Sequence, residues 1–459
     1  MNKKSFHTVH AALAAVLMIL LMCLPVMAGD YSLETIREEV YGLDTPVELA
    51  DSTLTQAINF DNGATTPEFI DVNTEVADKL SMYGSIGRGK GQKSAASTAV
   101  YDATRDAVLR FVNADPELYT AFFCSNTTDG LNKLSSALIT NESDMVLTSW
   151  MEHHANDLPL RHRGNTIYAE VDELGRIKLD EVERLLSENQ MKYVTITAAS
   201  NVTGYVNDVH AIAKMAHANG AQIVVDGAQI VAHRAFSMLG ETPEENIDFF
   251  VFSAHKMYAP YGGGAVVGLR SELDQHMPEF YGSGIVDVVT DEMETYLAAP
   301  EFYEAGSPNY PGVVALGKAI EILQSVGFDR IQEHEQVLIR KTIDGLLDIN
   351  GVTVYVDTAE ISDKVGVVTF NIDGIWHADV AQALADNYGI AVRQGAFCSH
   401  PYVFRLLGIS NEQVLEDMKY DDFSMPGMVR VSFGIYNTEE EVELFLNAVR
   451  EIAGAATVQ

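Results

Sequence analysis

Two short apolar runs that each end on a polar side chain constrain this chain most. Gln222-Ile223-Val224-Val225 leads into Asp226, and Ile247-Asp248-Phe249-Phe250-Val251-Phe252 leads into Ser253-Ala254-His255-Lys256. Both runs are too short for helices and rich in β-branched or aromatic residues, so they read as buried strands. Ala121–Cys124, Met145–Thr148 and Lys192–Thr197 read the same way, and stretches with helical patterning lie between them. That alternation predicts an α/β fold on a mostly parallel sheet. Ligands of such sheets gather outside the carboxyl ends of the strands, where Thr127, Asn201 and Asp226 fall.

A lysine delivered by a strand into the small, polar turn before Tyr261-Gly262-Gly263-Gly264 is held in place with its amine partly desolvated. Such an amine can be neutral and nucleophilic. An acid at the end of one strand and a lysine at the end of the next have a chemical use together. Pyridoxal phosphate needs a carboxylate to keep its ring nitrogen protonated and a lysine to tether its aldehyde. Asp226 and Lys256 fit those roles, and Gln229 is placed to donate to the ring hydroxyl. Ser125-Asn126-Thr127-Thr128-Asp129-Gly130, between a strand and a helical pattern, offers hydroxyls and helix N-terminal amides to a phosphate. The same residue types are favoured helix N-caps, and the two readings are compatible.

These stretches belong to a longer ordered series: Asp61-Asn62-Gly63-Ala64-Thr65-Thr66, Met151-Glu152-His153-His154-Ala155-Asn156, Ala199-Ser200-Asn201-Val202-Thr203-Gly204, Asp226-Gly227-Ala228-Gln229, Ser253-Ala254-His255-Lys256, Glu304-Ala305-Gly306-Ser307-Pro308-Asn309 and Val392-Arg393-Gln394-Gly395-Ala396-Phe397-Cys398. From about residue 59 onward the chain resembles the class V aminotransferase superfamily, and within it the cysteine desulfurase and selenocysteine lyase branch. The resemblance implies the type I pyridoxal phosphate-dependent transferase fold, like aspartate aminotransferase, with a smaller C-terminal α/β domain. It implies that Lys256 anchors the cofactor, Asp226 pairs with its ring nitrogen, Gln229 contacts its ring oxygen and His153, rather than His154, stacks on the ring. Thr127, Thr128, Ser253 and His255 form the expected phosphate shell. Ser307 would reach the phosphate of a neighbouring subunit, so a homodimer with shared active sites is implied. Asn201, Arg393 and Arg430 are the expected substrate contacts, with the Arg430 fork suited to an amino acid carboxylate. Cys398, at Arg-x-Gly-x-x-Cys spacing from Arg393, is implied to attack the substrate sulfur and hand it to an acceptor protein. Arg393 and His400 would favour its thiolate if they lie close.

The sequence also departs from the branch. Ala396 and Phe397 stand where a His-His pair is usual, Ala198 where a histidine precedes Ser-Asn, and Arg88-Gly89-Lys90-Gly91 lacks the imidazole of an Arg-Gly-x-His motif. Cofactor binding is untouched by these losses, but sulfur transfer loses candidate proton carriers. Desulfuration of L-cysteine to alanine is the expected reaction. Amino transfer, epimerisation or carbon–sulfur lysis of another amino acid stays open, as does an envelope protein that binds without turnover.

With 459 residues the chain has room for two domains: a large cofactor domain over residues 60–320 and a smaller one over 321–459, preceded by an arm at 29–59. Thirty basic against 65 acidic residues give a net charge of −35, which repels polyanions and argues against nucleic acid binding. No metal site is expected. Lys3 and Lys4 precede an apolar run from Ala11 to Ala28, the pattern of a secretory signal with cleavage near Val26-Met27-Ala28. Export is therefore expected, the alternative being a membrane anchor over residues 11–28. After cleavage Cys124 and Cys398 remain, and an oxidising compartment could pair them.

Overall fold

The computed structural model describes residues 31–456 apart from Arg88 and Asp422; the signal-like residues 1–28 lie outside them. Among the described residues the largest sheet has seven strands: Tyr119–Cys124 (β1), Met145–Ser149 (β2), Asn165–Ala169 (β3), Tyr193–Thr197 (β4), Gln222–Asp226 (β5), Phe249–Ser253 (β6) and Gly264–Leu269 (β7). They lie in the order β1-β7-β6-β5-β4-β2-β3. Pairing is parallel from β3 through β2, β4 and β5 to β6. Only β7 runs against its neighbours, β1 and β6. The expected α/β architecture with a mostly parallel sheet is therefore present.

The near-continuous apolar character of these strands follows from burial on both faces. Successive side chains of β6 point to opposite sides, so Phe250 and Phe252 join one core cluster while Phe249 and Val251 join another. The first cluster includes Val108 of helix Gln92–Phe111 and Leu316 of helix Tyr310–Val326; the second takes in Leu131 and Leu134 of helix Thr127–Leu138. Each fully buried side chain of this size stabilises the fold by about 1.5–3 kcal/mol. A strand covered on both sides thus fixes its ends firmly, and the ends carry the site.

A second, antiparallel sheet comprises Val352–Val354 (β8), Val367–Ile372 (β9), Arg393–Gly395 (β10) and Met428–Ser432 (β11), in the order β8-β9-β11-β10. Helices Phe328–Leu347 and Glu439–Ala456 pack on each other beside it. Helix Tyr310–Val326 runs across position 320, and Gly327, at φ +90°, turns the chain into the next helix. The N-terminal arm ends in a separate two-stranded sheet, Ile58–Asn59 pairing parallel with Ile390–Ala391, and Asp61 just beyond it bridges to Ser432 of β11. Among the described residues no helix is long and apolar enough to cross a membrane.

Candidate active site

A pocket of about 600 Å³ opens outside the carboxyl ends of β1, β2, β4, β5 and β6, and Arg430 of β11 with the loop after β10 forms its other wall. Lys256 ends a single 3-10 turn, Ala254–Lys256, that follows β6 directly. The turn is pinned from behind. The His255 carbonyl accepts from the hydroxyls of Thr65 and Thr66 at 3.0 and 3.2 Å, and the Tyr258 amide donates to Thr66 Oγ1 at 2.7 Å. Burial pushes the Lys256 amine down to about 8; Arg430 pushes the same way, and Asp226 and Cys398 oppose it. Near neutrality this lysine is far easier to deprotonate than a solvated one.

Asp226 closes β5, almost fully buried, and Oδ1 accepts from the Ala228 amide at 2.9 Å. Burial raises its carboxyl above the usual range, with the Ala228 amide and Lys256 pulling it back. A buried carboxylate with one amide partner is suited to a cationic ring nitrogen. Helix Thr127–Leu138 starts at the end of β1, where Asn126 caps it by accepting from the Asp129 amide at 2.9 Å. Ser253 Oγ accepts from the Thr127 amide at 2.7 Å and lies 2.6 Å from Thr127 Oγ1. The result is a knot of hydroxyls at a helix N-terminus, which favours an anion. Gly264 keeps this corner tight, because a Cβ there would sit 2.7 Å from the Phe252 carbonyl oxygen and 3.2 Å from Asn126 Cα.

His153 enters the pocket from the segment after β2, and its Nδ1 accepts from the Ala155 amide at 3.0 Å. The ring proton therefore sits on Nε2. Burial pushes this imidazole down to about 3, so it is a neutral ring. Beside it Glu152 is buried, accepting from Ser149 Oγ at 2.6 Å and Asn156 Nδ2 at 2.7 Å. Burial pushes that carboxyl up to about 8, and the charge of Asp226 adds to the shift.

On the opposite wall Arg430 is buried. Its Nη1 donates to the Asn201 carbonyl at 2.9 Å and its Nη2 to Asp61 Oδ1 at 3.1 Å, while Nε has no protein partner. Arg393, paired across the strands with Arg430, reaches the other Asp61 oxygen at 3.6 Å. Cys398 is exposed at the pocket edge on a turn where both Phe397 and Cys398 adopt positive φ. The turn is fastened by the His154 amide, which donates to the Cys398 carbonyl at 2.7 Å.

The structure thus brings Lys256, Asp226, His153, Asn201, Arg393, Arg430 and Cys398 to one pocket, with Thr127, Thr128, Ser253 and His255 at its far end. Two expected contacts lie outside it. Gln229 is buried, and its amide donates to the Gly63 carbonyl at 2.8 Å. Ser307 is exposed on the loop before helix Tyr310–Val326. His400 stacks edge-on against His154, ring centroids 4.6 Å apart, and its amide donates to His154 Nε2 at 3.3 Å. Among the described residues Cys124 and Cys398 are both free, and the Cys124 thiol donates to the Asn126 carbonyl. Sequence reasoning assigned no role to Asp61, Glu152 or Ser399. Asp61 and Glu152 stand inside quoted motifs, but a partner from another domain or a buried neighbour leaves no mark in local spacing.

A model of the family described as aminotransferase class-V matches residues 58–445. The chain belongs to the class-V aminotransferase family. Members of this family are generally dependent on pyridoxal phosphate, and this chain is an enzyme of that kind. Within the class-V family it is 31% identical over 418 residues to the cysteine desulfurase of Haloferax volcanii, covering 89% of this chain and 92% of that one. A cysteine desulfurase of Klebsiella pneumoniae is 34% identical over 380 residues, covering 81% and 86%. Of solved structures, the apo cysteine desulfurase of Thermococcus onnurineus superposes with a TM-score of 0.77 at 29% identity, covering 87% of this chain and 95% of the other. The cysteine desulfurase CsdA of Escherichia coli, in an S-sulfonic acid form, gives 0.77 at 25% identity over 93% and 99%.

Proposed function

We propose that this chain is a cysteine desulfurase that holds pyridoxal phosphate on Lys256 and takes sulfur from L-cysteine onto Cys398. The observation that carries the reading is the presence of an exposed thiol at the rim of the pocket that holds the buried lysine–acid pair and a buried arginine. The residues fit the cofactor: Asp226 for the ring nitrogen, the neutral His153 imidazole for the ring face, Lys256 for the aldehyde, and Thr127, Thr128, Ser253 and His255 for the phosphate. The cofactor, when bound, draws electrons from the substrate α-carbon and so acidifies its proton.

The chain's own residues do the rest. Arg430, oriented by Asp61, offers its guanidinium to the substrate carboxylate. The Lys256 amine takes the α-proton and returns a proton within the same site. The Cys398 thiolate attacks the substrate sulfur, so that a sulfur–sulfur bond forms as the carbon–sulfur bond breaks. The bonding pair stays with the carbon skeleton, which is protonated and leaves as alanine, and Cys398 retains the sulfur as a persulfide.

The exposure of Cys398 suits transfer of that sulfur to an acceptor protein. Ser307 lies outside this pocket, and the hairpin Val286–Val289 and Glu294–Tyr296 exposes Val288, Val289 and Met293. Both features support a homodimer in which Ser307 serves the neighbouring site. The signal-like residues 1–28 support export. Apolar Ala396 and Phe397 beside Cys398 favour one second reading, in which Lys256 serves amino transfer, epimerisation or carbon–sulfur lysis without a persulfide. Sulfide and alanine release from L-cysteine with dithiothreitol present, in wild type and Cys398→Ala, tests the choice. Equal rates reject the persulfide route.

A further inference from the structure

Asn201 does more than border the substrate. Its side-chain amide is spent on the two neighbours of Cys398: Nδ2 donates to the Phe397 carbonyl at 2.7 Å, and Oδ1 accepts from Ser399 Oγ at 3.0 Å. Ser399 sits at the N-cap of helix His400–Leu407, where a serine hydroxyl ordinarily accepts from the first turn. Here it makes no cap bond and is fully buried, its hydroxyl diverted to Asn201. The Phe397 ring lies over the Arg430 guanidinium, 5.1 Å from its carbon to the ring centroid, and Arg430 Nη1 donates to the Asn201 carbonyl. Arg430 Nε, buried and without a protein partner, is the group left over in this arrangement.

The consequence is a shared set of contacts. The polar groups nearest the carboxylate end of the pocket are the ones that hold the cysteine turn closed, and Phe397 covers the arginine that would receive the carboxylate. We infer that Asn201 and Ser399 are positioning residues forming a latch on the Cys398 turn, and that an amino acid carboxylate arriving at Arg430 displaces Phe397 and releases the latch. The inference rests on the reading of the pocket as a desulfurase site. It makes nucleophile mobility depend on a correctly bound substrate, with Phe397, which stands where an imidazole is usual, serving as the lid of the clamp.

The test is the rate at which iodoacetamide alkylates Cys398, followed by mass spectrometry of its peptide, in the full chain loaded with pyridoxal phosphate. L-Alanine supplies the carboxylate without sulfur. Wild type should react several-fold faster with L-alanine than without it. Ser399→Ala should react about fivefold faster than wild type without L-alanine, the effect of losing one hydrogen bond, and gain little when it is added. Ser399→Thr, which keeps the hydroxyl, should restore wild-type behaviour. Because Ser399 makes no cap bond, its loss leaves the helix start intact. An unchanged or slower rate in Ser399→Ala, or a wild-type rate that L-alanine leaves unchanged or lowers, overturns the latch. If alkylation follows the expected pattern and L-cysteine yields no sulfide, the desulfurase reading fails and the latch stands; sulfide release with Ser399→Ala alkylated like wild type sinks the latch alone.

Discussion

Asp61 Oδ1 accepts a hydrogen bond from Arg430 Nη2 at 3.1 Å, so the segment that follows the N-terminal arm aims a guanidinium carried by the C-terminal sheet. That contact crosses 369 residues of sequence; with Nη1 on the Asn201 carbonyl, Nε is the guanidinium nitrogen without a protein partner and is free for a ligand. Arg430→Lys keeps the charge and loses the planar fork. The expected outcome in steady-state kinetics on L-cysteine is a KM raised about tenfold or more with a smaller change in kcat, since the lost hydrogen bond is made to the substrate before reaction begins.

The Lys256 amine, pushed down to about 8, must be neutral to attack an aldehyde. Uptake of pyridoxal phosphate by the apo chain, followed by absorbance, should therefore speed up with pH and level off above about 8. Lys256→Ala should show no such band at any pH. A rate still climbing near the pKa of a solvated lysine would contradict the burial argument.

Glu152 predicts a stability signature. Its carboxyl is raised from the ordinary 4.5 to about 8, so the folded chain binds a proton there that the unfolded chain has released. That contribution is complete below pH 4.5 and is lost as pH rises through about 8. Glu152→Gln mimics the protonated form, so its unfolding free energy in urea should fall less between these limits than that of wild type. Glu152→Ala takes the acceptor from two buried donors, Ser149 Oγ and Asn156 Nδ2, and should cost about 2–4 kcal/mol.

The apolar run after Lys3 and Lys4 predicts that the chain is recovered from the extracytoplasmic fraction with its N-terminus near residue 29. Cell fractionation with N-terminal sequencing checks this, and an intact Met1 in the membrane fraction would point to an anchor instead.

The parts of the molecule legible in its sequence are those set by short-range physics. Strands buried on both faces, such as β6, need apolar residues at every position, and the turn that follows must be small and polar, so Lys256 and Asp226 announce themselves. The helix start at Thr127 is legible for the same reason, since a helix that starts after a strand needs a capping residue, here Asn126. The Arg430–Asp61 and Ser399–Asn201 contacts were not legible, because each joins segments hundreds of residues apart. Gln229 adds a partner that no local spacing announces: its side-chain amide donates to the Gly63 carbonyl, which tertiary packing supplies.

The central claim is that sulfur passes through Cys398 by way of chemistry started at Lys256. Mass spectrometry of the Cys398 peptide after brief exposure of the cofactor-loaded enzyme to L-cysteine tests it most directly. The account predicts a persulfide on Cys398 with equimolar alanine in wild type and neither in Lys256→Ala. Alanine and sulfide formed at the wild-type rate by Cys398→Ala would contradict it.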